Sequence, residues 1–317
     1  MNDMINRTII EPKRSIDVIH ETDVLVVGSG PGGLSAAIAS ARCGVKTTLL
    51  ERFGCFGGNI TVVGVEGFAW YRHEKTIEAG GIGREFEDLA KEMGAAVPES
   101  QSLSYELDSE GFKIVADKLV TDSGIHPMLH RSFSMPIMEG NTIVGVIVES
   151  KAGREAILSK VVIDATGDAD VAFRAGAQLN SMPVEEQMAT SVMFHLAGVD
   201  KKAFLSEIQN NPQSYKDWSD GEWEVETDGK EDDLFSPFLK KPFQQAINEG
   251  LLPSDLKTIG GTWGAVHDTG ELTYMNIIQL SNIDGTNPDD LTRGEIEGRR
   301  QAMFAIEALR KYYPGCE

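Results

Sequence analysis

Short apolar runs alternate with helical patterns in the first part of the chain. Residues 23–28, DVLVVG, form an unbroken apolar run ending in glycine, which is typical of a buried strand. Residues 32–43 are small helix formers, and Gly44 follows as a helix stop. Residues 45–51 are again apolar and β-branched. These three segments predict one βαβ unit.

The remaining pattern predicts a mixture of helices and strands. Up to residue 180 it places helices at 83–93 and 111–123, strands at 143–149 and 155–164, and a short helix at 168–175. Beyond residue 181 the expected elements are a strand at 190–197, helices at 201–209 and 237–249, a strand at 272–280 and a long helix at 291–313. Thr292 and Glu295 have capping-box spacing, so we place the N-cap of the last helix at Thr292.

This order of elements predicts an α/β fold in two parts. The first, residues 1–180, is expected to hold a parallel sheet, with residues 60–110 as candidates for a cap over the active site. The second, residues 181–317, is expected to be an inserted mixed α+β domain that meets the substrate.

Charge and cysteine content narrow the class of protein. The chain carries 29 basic and 49 acidic side chains, a net charge of −20, which disfavours nucleic acid and anionic membranes as partners. Three cysteines with no CxxC pair favour a reducing compartment. Residues 24–41 are uncharged but interrupted by glycines, so we expect no membrane span, and the first 15 residues have no apolar signal-peptide core. We therefore expect a cytoplasmic protein.

A glycine-rich loop joins the first predicted strand to the first predicted helix. Residues 28–33, Gly-Ser-Gly-Pro-Gly-Gly, fit the dinucleotide fingerprint G-x-G-x-x-G in the strand–helix context that it requires. Gly28 allows the tight turn, Gly30 lets the backbone approach a pyrophosphate, and Gly33 lets the helix pack closely. Pro31 and Gly32 lie between them. Glu51 ends the second strand, where a carboxylate can accept hydrogen bonds from an adenosine ribose.

Further motifs connect this fingerprint with one family. They are ERFGCFGGN at 51–59, GGIGREF at 80–86, KVVIDATGDADVA at 160–172 and IDGTNPDDLTRGEIEGRRQA at 283–302. With them the chain resembles the bacterial FAD-dependent oxidoreductases of the glutathione-reductase-like fold, from about residue 8 to the last residue. The resemblance implies a Rossmann-like FAD-binding domain, FAD as cofactor and hydride transfer to or from a small-molecule substrate.

The resemblance also assigns residues to the cofactor. It places Arg52 along the adenosine, Gly57, Gly58 and Asn59 near the pyrophosphate and flavin ring, and the backbone near Phe133 at the adenine edge. It further places Ala165, Thr166, Gly167 and Asp168 beside the dinucleotide.

Members of the family continue beyond the segment that matches YYPGCE, so we expect a complementing chain or a homo-oligomer as partner. Two alternatives to a flavin enzyme stay open at this point. One is an incomplete flavoprotein fragment, and the other is an NAD-dependent dehydrogenase that uses the same fingerprint.

The sequence does not single out a catalytic residue. Cys55 is interpreted as a loop thiol because no second cysteine lies near it. His73 and His195 are each either substrate contacts or packing residues, and His267 is assigned to a loop. We treat His126 and His130 as structural, and we expect no metal, because they lack a third ligand.

Overall fold

The structure is a computed structural model that describes residues 8–67, 72–73, 76–77, 80–99, 105–211, 239–256 and 259–317. The strands are β1 (Val18–Val27), β2 (Thr47–Leu50), β3 (Arg72–His73), β4 (Thr76–Ile77), β5 (Ala96–Pro98), β6 (Tyr105–Leu107), β7 (His126–Met128), β8 (Ser132–Glu139), β9 (Thr142–Ser150), β10 (Gly153–Asp164), β11 (Phe194–Leu196) and β12 (Leu272–Met275). The helices are α1 (Pro31–Arg42), α2 (Ile82–Glu92), α3 (Ser109–Asp122), α4 (Asp170–Arg174), α5 (Lys201–Asn210), α6 (Lys241–Asn248) and α7 (Pro288–Tyr312).

A six-stranded sheet in the order β7-β2-β1-β10-β9-β8 organises the first half of the chain. Strands β7, β2, β1 and β10 run parallel, and β9 and β8 continue the sheet antiparallel. Val27, the last residue of β1, pairs with Leu50 on one side and with Asp164 on the other. The carboxyl ends of β1, β2 and β10 therefore lie side by side at one end of the sheet. The predicted α/β fold with a parallel-rich sheet is confirmed.

Alternation along β1 gives the sheet two buried faces. Val26 packs with helices α1, α2 and α3 on one face of the sheet. Leu25 and Val27 point to the other face, where they pack with Val146 and Ile157 of the neighbouring strands. A separate apolar cluster is built from residues 199–316, where Phe204, Trp263 and Tyr313 pack edge-on or tilted. The first half of the chain and the last third therefore each have a core of their own.

Several predicted boundaries differ from the structure. Helix α7 begins at Pro288 with Asn287 as N-cap, so Thr292 lies inside the helix, where its hydroxyl donates to Pro288 O. The predicted strand 190–197 forms ladder pairs only at β11, with a single bridge from Thr190 to Leu280. The predicted strand 272–280 ends at Met275 because the following residues make isolated bridges. Of the predicted helix 237–249, residues 237–238 lie outside the described residues.

Among the helices that the structure describes, none combines the length and the apolar composition that a bilayer-spanning helix needs.

Candidate functional site

The loop after β1 is built on two glycines that tolerate no side chain. Gly28 has φ +98°, and a Cβ added there would lie 2.3 Å from the carbonyl oxygen of Ala165. A Cβ on Gly33 would lie 2.0 Å from the carbonyl oxygen of Gly28. Strand β1, helix α1 and the end of β10 therefore meet at distances that only glycine allows.

The neighbouring glycines, in contrast, face open space. A Cβ on Gly30 or on Gly32 would have no other atom within 4 Å. Helix α1 begins here with Pro31 in its first turn and without a side-chain cap, so its first amides point into that space. Gly58 lies across the loop, because its added Cβ would meet the Gly30 Cα at 2.6 Å. The result is an uncovered helix N-terminus beside two glycine loops.

Glu51 lies under this loop and is 5% exposed. Its Oε2 accepts hydrogen bonds from the Ser29 amide at 3.0 Å and from the Ser29 hydroxyl at 2.5 Å, and its Oε1 accepts from the Phe53 amide at 2.9 Å. The carboxylate thus fixes both the fingerprint loop and the turn that follows β2. Arg52 is exposed and stacks 4.7 Å above the Phe53 ring.

The turn after β10 lies at the same carboxyl end of the sheet as the fingerprint loop. The Ala165 amide donates to Val27 O at 2.9 Å. Asp164 Oδ1 accepts from the amide and hydroxyl of Thr166, and the Thr166 hydroxyl accepts from the Asp170 amide at 2.8 Å. Gly167 has φ +100°, and Asp168 is exposed. The hydrogen bond to Val27 O therefore positions Ala165, and the Asp164 carboxylate positions Thr166 and stabilises the turn.

Asn59 and Phe133, which the resemblance also assigns to the cofactor, lie outside the fingerprint loop. Asn59 opens a short π-helical turn, Asn59–Val63, directly after Gly58. Phe133 lies on the edge strand β8 with the Arg174 guanidinium 5.6 Å over its ring, and its role at the adenine stays a prediction. The residues that reach the Glu51 loop are instead His130 and Arg131, whose amides donate to Phe53 O and Glu51 O. The one sequence signal for His130 and Arg131 is their position shortly after strand β7.

A second polar cluster lies where the last third of the chain contacts the first half. His195 Nδ1 is 3.2 Å from Glu271 Oε1, and His195 Nε2 is 3.1 Å from Glu66 Oε2. Glu66 and Glu106 are each 2% exposed, and the Thr273 hydroxyl donates to Glu106 Oε1. The sequence left His195 open between a substrate contact and a packing residue, and it did not suggest the three glutamates.

Electrostatics in this second cluster follow from burial and from the two ion pairs. The contact with Glu66 raises the pKa of His195 against the opposing effect of burial. Burial pushes the pKa of Glu66 upward, but its bonds to His195 and to the Ser109 amide outweigh burial, so the pKa of Glu66 is lowered. Burial raises the pKa of Glu106 well above its ordinary value. The contacts therefore favour the imidazolium form of His195 and the ionised form of Glu66, whereas burial favours the protonated form of Glu106.

The other histidines are held elsewhere. His20 and His126 stack with ring centroids 4.4 Å apart, and His20 bonds to the Thr48 hydroxyl. The side chain of His73 lies outside the described residues. In the described part of the chain, no three His, Cys, Asp or Glu side chains are arranged to hold a metal ion.

A parallel-rich sheet with a glycine loop at its edge defines the class, an α/β protein with a Rossmann-like FAD-binding fold. Residues 23–317 match the model of the FAD dependent oxidoreductase family. The chain therefore belongs to this family. The narrower resemblance to glutathione-reductase-like flavoproteins stays a prediction.

Curated relatives match about half of the chain. A thiamine thiazole synthase from Metallosphaera sedula is 31% identical over 173 residues, which are 51% of this chain and 60% of the relative. A thiamine thiazole synthase from Saccharolobus islandicus is 31% identical over 175 residues, 52% of this chain and 62% of the relative. The chain thus spans about 60% of the length of these relatives.

Solved structures give weaker similarity. A geranylgeranyl bacteriochlorophyll reductase-like protein from Thermoplasma acidophilum superposes with a TM-score of 0.43 at 18% identity, covering 57% of this chain and 48% of that chain. THI4 from Thermovibrio ammonificans superposes with a TM-score of 0.39 at 21% identity, covering 61% of this chain and 73% of that chain.

Proposed function

We propose that FAD lies across the fingerprint loop and that the enzyme passes hydride between FAD and a small-molecule substrate. The pyrophosphate is placed at the N-terminus of α1, where free amides and the helix dipole favour an anion. The residues that we assign to FAD are Gly28, Gly30, Pro31, Gly32, Gly33, Glu51, Arg52, Gly57, Gly58, Asn59, Ala165, Thr166, Gly167 and Asp168, with the backbone near Phe133.

The observation that carries this proposal is the contrast between the four glycines of the loop. Gly28 and Gly33 are required by the protein's own packing, since any Cβ would collide with backbone. Gly30 and Gly32 have no such neighbour, so packing does not explain the absence of a side chain there. A ligand that approaches the backbone at Gly30 does explain it. The residues present therefore fit a dinucleotide.

Glu51 fits the same ligand. Each carboxylate oxygen has two lone pairs, and the three bonds from Ser29 and Phe53 leave acceptor capacity for a ribose hydroxyl. Those bonds also hold the carboxylate in one orientation. A 2′-phosphate at this position would be repelled by the negative charge.

When bound, FAD supplies the electron-accepting ring, and the protein supplies binding, orientation and shielding. Gly57 and Gly58 lie beside Gly30, so this loop would cover the middle of the dinucleotide and keep water from it. Asp164 and Thr166 keep the turn after β10 at the sheet edge, where it would line the other side.

The test is the visible absorption spectrum of the purified chain, followed by titration with FAD and with NAD. Oxidised-flavin absorption that survives gel filtration supports the proposal. A colourless chain that binds NAD but not FAD would favour an NAD-dependent dehydrogenase. A chain that retains FAD only after a second polypeptide is added would favour an incomplete flavoprotein.

The relatives suggest a second candidate, an activity like that of the thiamine thiazole synthases. The 31% identity over half of the chain favours it, but it leaves the other half of this chain unmatched. An assay of the flavin-loaded protein for thiazole product would test this candidate.

A further inference from the structure

His130 lies just beyond strand β7, beside the turn that follows β2. Its amide donates to Phe53 O at 3.1 Å, and the amide of Arg131 donates to Glu51 O at 3.0 Å. These bonds extend the parallel pairing of β7 with β2 past the ends of both strands. The segment after β7 is therefore held alongside the segment after β2, at the carboxyl end of the sheet.

The ring of His130 covers Gly54 in that turn. A Cβ added to Gly54 would lie 2.7 Å from Cε1 of the ring and 3.1 Å from its Nε2, so a side chain there would push the ring aside. The backbone of Gly54 is not in the positive-φ region that favours glycine, so its conformation does not explain the residue. The space that the His130 ring occupies does explain it.

The backbone of His130 is the second, independent observation. It is left-handed, with φ +57°. Histidine enters this region more often than most residues do, but the conformation still costs free energy relative to the right-handed and extended regions. Strain of this kind clusters at active sites and ligand clamps. Because His130 is exposed, a ligand can reach its ring from the side away from Gly54.

The order of the strands predicts where each part of a dinucleotide would lie. The proposed pyrophosphate site follows β1, and the proposed ribose acceptor, Glu51, directly follows the neighbouring strand β2. Strand β7 is the next strand in the same direction. Adjacent strands are about 4.8 Å apart, so a base that extends beyond the ribose, away from the pyrophosphate, reaches the end of β7. The His130 ring lies there.

We propose that His130 binds the adenine ring of FAD by stacking its imidazole on the base, and that Gly54 is kept without a side chain to seat that imidazole. Stacking on an aromatic side chain is a general way to hold a base. The inference rests on the proposed function, because it assigns a side chain to the adenine half of the same cofactor. It replaces the interpretation from sequence alone, in which His130 is structural.

The experiment is calorimetric titration of FAD into the FAD-free full chain and into three variants: His130→Asn, Gly54→Ala and the double variant. Asparagine readily adopts left-handed backbone conformations, so His130→Asn removes the ring and keeps the turn. It should weaken FAD binding at least about fivefold. Gly54→Ala should also weaken binding, because its Cβ displaces the ring. Once the ring is gone, adding Gly54→Ala should change the affinity by less than about twofold.

A spectroscopic readout separates contact with the base from an effect on the loop. In proton NMR, the Cε1–H signal of His130 is assigned by its loss in His130→Asn. It should move upfield when FAD saturates the chain, because an aromatic base lies over the ring. His126, at the start of β7, is the matched control. Its signal should not move, and His126→Asn should bind FAD like wild type.

An unmoved His130 signal in the FAD-saturated chain would overturn the proposal. So would wild-type FAD affinity in His130→Asn, an equal loss of affinity in His126→Asn, or a full effect of Gly54→Ala in the double variant. These outcomes differ from failure of the proposed function. A wild-type chain that does not bind FAD refutes the FAD assignment, whereas a chain that binds FAD equally well in every variant refutes only the role of His130.

Discussion

Ser29 donates both its amide and its hydroxyl to one oxygen of Glu51, across 22 residues of sequence. The pair ties the fingerprint loop to the end of β2 inside the protein. The carboxylate that the sequence assigns to a ribose therefore also has a structural role. The consequence is that stability and cofactor affinity are both expected to depend on Glu51.

We predict that Glu51→Gln destabilises the FAD-free protein by about 2 kcal/mol, in the ~1.5–3 kcal/mol range of hydrogen bonds to charged groups. The amide can accept through only one atom, so a donor of Ser29 or Phe53 loses its partner. Urea unfolding of the FAD-free chain measures this. Glu21→Gln, which alters an exposed carboxylate on β1, should change stability by less than about 0.5 kcal/mol. Equal unfolding midpoints for the two variants would contradict the role of the Ser29 contact.

The N-terminus of α7 gives a second prediction. Asn287 accepts the Asp289 amide as N-cap, whereas the Thr292 hydroxyl bonds back to Pro288 O inside the helix. Asn287→Ala should therefore cost about 1 kcal/mol of unfolding free energy, and Thr292→Ala should cost clearly less. Thermal unfolding of the two variants side by side decides between the cap positions. A larger loss at Thr292 would restore the capping-box assignment.

Two histidines should give opposite pH dependence. The pKa of His195 is raised by Glu66, so its stabilisation is full below pH 6.5 and is lost as the pH rises through its folded-state pKa. The pKa of His20 is lowered by burial, His126 and Lys46, so its contribution is full above pH 6.5 and is lost as the pH falls through its folded-state pKa.

The measurement is the melting temperature as a function of pH for wild type, His195→Gln and His20→Gln. Relative to wild type, His195→Gln should be most destabilising in the acidic part of the range, and His20→Gln in the alkaline part. Parallel curves for all three proteins would show that neither histidine is linked to folding.

The first half of the fold follows from local pattern. The βαβ unit was predictable because apolar runs, small helix residues and glycine stops agree over 23–51. Strand β8 was not, because its sequence SFSMPIME lacks clean alternation and contains Pro136, which only an edge strand tolerates easily. The N-cap at Asn287 was missed although Pro288 and two acids follow it, since the Thr292 and Glu295 spacing matched a stronger motif.

The glycine loop and the second polar cluster also differ in how far the sequence predicts them. The glycine loop is contiguous, so its spacing reveals it, and the structure adds which glycines are needed for packing. Glu66, Glu106, His195 and Glu271 come from four separated segments, and only tertiary packing brings them together. Burial raises the pKa of Glu106, and the contact between Glu66 and His195 shifts the pKa of each against burial; no local sequence pattern encodes either effect.

The central claim is that Gly30 is kept free of a side chain for FAD and not for the fold. The decisive measurement is calorimetric titration of FAD into wild type, Gly30→Val and Gly33→Ala, with melting temperatures recorded before FAD is added. Gly30→Val should melt like wild type and lose FAD binding, because its side chain enters open space in the protein alone. Gly33→Ala should melt lower, since its Cβ meets Gly28 O. Undiminished FAD affinity in Gly30→Val would contradict the account.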